Sequence, residues 1–259
     1  MKRQPAVAGS FYPDNPIELR HMLGTYLCQA ESNHPAPKVI IAPHAGYIYS
    51  ASIAASAYAR LNSVRDNIQR VVLMGPSHRV AFRGLALSGA DYFVTPLGEI
   101  AIDTEVMASL ARFGFAGYLE SAHTMEHSLE VHLPFLQTVL ANFKLIPIVA
   151  GDATPEQVTQ VLEYVWGGSE TLIVISSDLS HYHPYEEARL LDQRTSHVIE
   201  TLDYHSLSTE SACGKVPVSG LLKLLQDKGL SIQTIDVRNS GDTAGDKNRV
   251  VGYGAYVVE

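Results

Sequence analysis

The sequence predicts an α/β protein: a single three-layer αβα sandwich around a largely parallel to mixed central sheet. Three observations carry this. Short apolar runs recur at 38–42, 70–75, 144–149 and 171–176, each nearly continuous and therefore suited to strands covered on both faces. Helical patterns lie between them, so the order is βα alternation. The 259 residues are 46% hydrophobic and 18% charged, which supplies a sizeable core and excludes disorder. No Pro/Gly-rich linker interrupts the pattern, and residues 1–259 are read as one domain.

The helices follow from capping and periodicity. The Ala-rich stretch 50–61 has Ser50 as a candidate cap. Residues 103–114 open on Asp103 and stop at Gly114. Residues 128–143 are apolar at 129, 133, 136 and 140, with Pro134 as the expected kink. Residues 154–168 have Thr154 as cap and Pro155 as first helical residue. Two more helices are expected at 185–202 and 217–228. Weaker alternation at 85–88, 92–95 and 100–102 suggests a hairpin region. The tail reads as two closing strands around a Gly/Asp-rich turn at 241–246.

Composition excludes several functions. A net charge of −8 and the lack of a Lys/Arg cluster argue against nucleic-acid binding. No stretch reaches the ~20 apolar residues of a membrane span. Residues 1–15 lack the apolar core of a signal peptide. Two cysteines are too few for a disulfide framework, so the cytoplasm is the expected location.

The ionisable residues cluster at strand ends. "KVIIAPHAGYIYS" places His44 just past an apolar run, "VVLMGPSHRV" does the same for His78, and "LIVISSDLSHYH" for Asp178 and His181. In open α/β sheets ligands bind beyond the carboxyl ends of strands, so one shared site is expected there. Neutral imidazole is a common metal ligand, and a nearby carboxylate fixes its tautomer. Read singly, each His also suits a capping or core role. Asp178 and His181, three apart, suit one face of a helical turn. Glu126, His127 and Glu130 are plausible pocket residues, Tyr47 a pocket wall, and His132 suits a helix surface. Cys213 precedes Gly214 at the head of a helix expected near Pro217, where a thiolate is favoured. Cys28 reads as packing in an amphipathic stretch. His123-Thr-Met-Glu-His127 also matches the H-x-x-E-H pattern of zinc hydrolases, with Glu200 as nominal third ligand. His123 falls at or before the start of the predicted helix, which weighs against that reading.

Taken together, "RQPAVAGSFYP", "APHAGYIYSA", "GPSHR", "TMEHSLEVHLPFLQ", "SSDLSHY", "ACGKVPV" and "SGDTAGDKNRVVGYGAY" resemble the Memo family, also called AmmeMemoRadiSam system protein B. The resemblance spans essentially the whole chain. It implies a fold like that of class III extradiol dioxygenases, which hold Fe(II) with two His and one Glu. It implies that His44 and His78 are the two imidazole ligands and that Cys213 stands where the dioxygenases have Glu. It makes His181 the acid/base His, with Asp178 beside it, while His127 is read from its place in the sequence as lining the pocket. One metal ion is implied, Fe(II) or copper, with zinc as an alternative, because thiolate is softer than carboxylate. The implied function is a metal-dependent oxidoreductase acting on a small molecule, with radical-SAM and AMMECR-type proteins as partners. The alternative is a non-catalytic metal- or peptide-binding adaptor.

Overall fold

The computed structural model describes residues 1–31 and 33–259. Among the described residues twelve strands and eight helices follow in chain order. They are β1 (Lys2–Arg3), α1 (Pro16–Gln29), β2 (Val39–Ala42), α2 (Tyr47–Tyr58), β3 (Arg70–Pro76), β4 (Leu85–Leu87), β5 (Tyr92–Thr95), β6 (Gly98–Ala101), α3 (Thr104–Leu110) and β7 (Ala116–Tyr118). Then come α4 (Ser121–Thr124), α5 (Leu133–Val139), β8 (Lys144–Ala150), α6 (Pro155–Tyr164), β9 (Thr171–Ser176), β10 (His181–His183), α7 (Tyr185–Glu200), α8 (Lys215–Lys228), β11 (Gln233–Asn239) and β12 (Val250–Val258).

The main sheet runs β10-β12-β2-β9-β3-β8-β4-β7, with β11 also paired to β12. Its centre, β2-β9-β3-β8, is parallel, while β12 and β4 join antiparallel. All residues of β2 and β9 are buried, as continuous apolar strands covered on both faces must be. Helices α1, α2 and α5 pack on one another, α6 packs on α8, α8 meets β3 and β9, and α7 meets β11 and β12. This is the expected αβα sandwich. The small sheet β1-β5-β6 contains the expected β5–β6 hairpin, but β4 leaves it and extends the main sheet beside β8.

Local chemistry accounts for where boundaries moved. The Thr154 hydroxyl and Gln157 side chain form a capping box on α6, as the sequence indicates. Helix α2 starts at Tyr47, and the Ser50 hydroxyl donates to the Ala45 carbonyl instead of capping. The long helix expected at 128–143 is a short 3₁₀ turn, Glu130–His132, followed by α5. Ahead of that turn the amides of His127 and Ser128 donate to the Glu126 carboxylate. Pro134 then opens α5. His132 is buried, not surface, with Nδ1 bonded to the Tyr58 hydroxyl at 2.8 Å. Cys28 is exposed, because α1 buries Leu19 and Leu23 on another face. Among the described residues no helix is long and apolar enough to cross a membrane.

Candidate metal centre

Strands β2, β9 and β3 lie side by side and parallel, with Ala42 opposite Ser176 and Met74 opposite Ile175. Their carboxyl ends therefore open onto one edge. Pro43-His44 follows β2, Ser77-His78 follows β3, and Ser177-Asp178 follows β9. Cys213 arrives from a distant loop. Gly214 caps α8, and its amide donates to the Ser177 hydroxyl at 3.0 Å. The helix begins at Lys215, two residues before the position expected.

The ligand-capable atoms of His44, His78 and Cys213 all lie within 4.8 Å of one another. His44 Nε2 is 3.3 Å from Cys213 Sγ. Donors held about 2.0–2.3 Å from a common ion sit roughly 3–4 Å apart, so the spacing fits one ion. The rings of His44 and His78 are 5.1 Å apart between centroids, and His127 stacks on His78 at 4.6 Å. His127 Nδ1 is buried without a hydrogen-bond partner. Phe11 packs against His127, with the tilted rings 5.0 Å apart between centroids.

Electrostatics separate the members of the cluster. Burial holds His44 well below the ordinary imidazole range, and the neighbouring His78 adds to the effect. Burial and His78 likewise hold His127 at about 4. Asp178 is pushed up to about 7 by burial, although the His44 and Ala45 amides work in the opposite sense. For Glu126 burial acts upward, but the His78 ring N–H and the His78 and Ser128 amides prevail and hold it at about 2. The helix terminus does not lower the Cys213 thiol as its place in the sequence suggested. Burial pushes it up, and Asp178 adds to that. The Asp178 and Gly214 amides and the Ser177 hydroxyl act the other way without prevailing, and a bound metal cation would favour the thiolate further.

Other expectations changed. Asp178 and His181 share no helical turn, because His181 opens β10. The Asp178 carboxylate instead accepts the His44 amide at 2.8 Å, with its second oxygen 3.9 Å from His44 Nε2. His181 is half-buried at the edge of the cluster, next to Tyr182, which adopts φ 64° where β10 shifts register. Tyr47 is core and not pocket wall: it is buried, and its hydroxyl donates to the Val131 carbonyl. The H-x-x-E-H residues do not form a hydrolase site. His123 Nε2 lies 3.0 Å from the Ala86 carbonyl, and Glu200 accepts the Thr234 amide. Sequence reasoning missed Ser128 and Ser176, whose only signal is their place beside the strand ends. An open cleft of about 720 Å³ lies elsewhere, between Arg70, Glu99 and Lys144 at the opposite ends of β3 and β8.

The family model described as "Memo-like protein" matches residues 3–257. The chain belongs to this family. Its relatives include a MEMO1 family protein of Aquifex aeolicus, 38% identical over 97% of both chains. A MEMO1 family protein of Methanosarcina acetivorans is 38% identical over 99% of both, and one of Archaeoglobus fulgidus is 35% identical over 98% of both. The Memo-like match takes in every residue of the cluster, from Phe11 to Cys213.

Proposed function

We infer that this Memo-like chain binds one metal ion through His44, His78 and Cys213 and is a metal-dependent oxidoreductase acting on a small molecule. The observation that carries this reading is the meeting of two imidazoles and a thiol at adjacent strand ends, His44 Nε2 lying 3.3 Å from Cys213 Sγ. Two nitrogen donors and one sulfur suit Fe(II) or copper, with zinc as the non-redox alternative. When bound, such a metal supplies redox and Lewis-acid chemistry.

The chain's own groups support turnover over storage. Asp178, held at about 7, carries or releases a proton on its carboxylate near neutrality. His181, half-buried beside the cluster, is a second proton carrier. His127 sets its imidazole beside the His44 and His78 rings, and Phe11 packs against it. The resemblance noted above adds radical-SAM and AMMECR-type proteins as proposed partners, and the two cysteines keep the cytoplasm as the proposed location.

The test is anaerobic loading with Fe(II), followed by O₂ uptake across a panel of catechol-like small molecules, with His44→Ala as control. Uptake that is lost in the variant supports the enzyme. Metal bound through His44 with no uptake for any compound favours the adaptor reading.

A further inference from the structure

We propose that the segment Glu126–Ser128 fixes the ring tautomers of both histidine donors and so selects the nitrogen each presents to the ion. The proposal rests on the reading of His44 and His78 as ligands. A neutral imidazole has one N–H and one lone pair, and only the lone pair binds metal. The partner of the other nitrogen therefore decides which atom is available.

For His78 that partner is Glu126. Nδ1 lies 2.9 Å from Glu126 Oε1. The carboxylate also accepts the amides of His78 at 2.6 Å and of His127 and Ser128 at 3.0 Å each. A carboxylate receiving these N–H groups is an acceptor only, so the proton sits on Nδ1 and Nε2 is left free. For His44 the partner is a relay. Its Nδ1 lies 2.6 Å from Ser176 Oγ. The Ser176 hydroxyl donates to the Ser128 carbonyl at 2.7 Å, so its lone pair faces the ring. Nδ1 again carries the proton, and Nε2, the atom 3.3 Å from Cys213 Sγ, is left free.

Both relays end on one short segment, which is itself held in place. The Ser128 hydroxyl donates to the Pro76 carbonyl at 2.8 Å. Gly75 lets the segment approach, since a Cβ there would stand 2.9 Å from Ser128 Oγ. Glu126, His127 and His78 also bring ligand-capable atoms within 4.8 Å of one another. As a second ion site this group is poor, because the Glu126 oxygens are already committed to four N–H donors. Glu126 is a positioning residue.

The experiment is a long-range ¹H–¹⁵N correlation spectrum of the metal-free protein labelled at histidine, with His44→Gln and His78→Gln for assignment. Wild type is expected to show both rings as Nδ1–H. Zinc titration is then run on wild type, Ser176→Ala and Glu126→Gln. Ser176→Ala is expected to free the His44 tautomer and weaken zinc binding about 10–100-fold, the usual effect of losing an orienting partner. Glu126→Gln is expected to keep its amide oxygen where the His127 and Ser128 amides donate, leaving His78 as Nδ1–H, and to weaken zinc binding by setting its NH₂ against the His78 amide. If that variant does not fold, the wild-type spectrum and Ser176→Ala decide alone. An Nε2–H ring in wild type overturns the proposal. So does unchanged zinc affinity in Ser176→Ala, or an uptake of two zinc ions that falls to one in Glu126→Gln. A wild-type chain that binds no zinc, with both rings Nδ1–H, refutes the ligand reading and leaves the tautomer assignment intact.

Discussion

Gly214→Ala tests whether the loop that delivers Cys213 must lie against the end of β9. The residue has φ −83°, which alanine adopts freely, so any effect comes from contact and not from backbone strain. A Cβ at this position would stand 2.5 Å from Ser177 Cβ, 2.6 Å from the Ser176 carbonyl oxygen and 2.7 Å from Ser177 Oγ. Carbon atoms pack at about 3.5–4.0 Å, so the loop must retreat by about 1 Å. Metal–ligand distances tolerate only about 0.2 Å. The Cys213 sulfur therefore leaves bonding range while the sheet stays intact. Overpacking of this kind costs about 1–3 kcal/mol of stability. For a chain of this size that is a drop of roughly 2–12 °C in Tm. The assay is titration with Co(II), read by its thiolate charge-transfer absorption, with Cys213→Ser as reference. The expected result is loss of the thiolate band and an affinity at least ~100-fold weaker, about 2.8 kcal/mol. Wild-type affinity with the thiolate band retained would refute the geometric argument.

Three further outcomes are expected. His132 is buried with its imidazole held at about 3 by desolvation, below the ordinary 6.5 of the unfolded chain. The unfolded state therefore takes up the proton first, and the stability tied to neutral His132 is present above pH ~6.5 and lost as pH falls toward 3. Urea unfolding of His132→Gln from pH 7 to 4 should show a pH slope shallower by about 1.4 kcal/mol per unit; parallel slopes would count against it. Glu130 is buried and accepts Arg3 Nη1 at 2.5 Å, the Ala6 and Val7 amides, and the Tyr12 hydroxyl. Glu130→Ala leaves a buried guanidinium unpaired and should cost about 3–5 kcal/mol in chemical denaturation, with residues 1–12 becoming protease-sensitive. A loss below about 1 kcal/mol would show that the N-terminal segment is held by other contacts. His123→Ala should leave metal stoichiometry and affinity unchanged by elemental analysis and titration, because its Nε2 faces the Ala86 carbonyl; loss of metal in this variant would revive the hydrolase reading.

The central sheet was legible because its strands are buried on both faces. Continuous apolar runs such as those of β2 and β9 admit few other structures, and His44, His78 and Asp178 stand out simply by following them. The meeting of Cys213 with those residues was legible only through family resemblance, since nothing local says where a loop far along the chain returns. The rest was hidden by competition between local and distant partners. Residues 128–143 carry a helical pattern, yet they form only a 3₁₀ turn and the short α5. Tyr47 looks like a pocket wall by position, but its hydroxyl reaches the Val131 carbonyl across the core. The Cys213 thiol sits at a helix start, and burial outweighs that placement. Ser128 and Ser176 are ordinary in sequence and gain meaning only from the 2.7 Å bond between them.

X-ray absorption of the zinc-loaded protein probes the proposed centre most directly. One zinc per chain is predicted, with one sulfur neighbour at about 2.3 Å and two imidazole nitrogens at about 2.0–2.1 Å. A coordination shell without sulfur, or with a carboxylate and only one imidazole, would contradict the assignment of His44, His78 and Cys213.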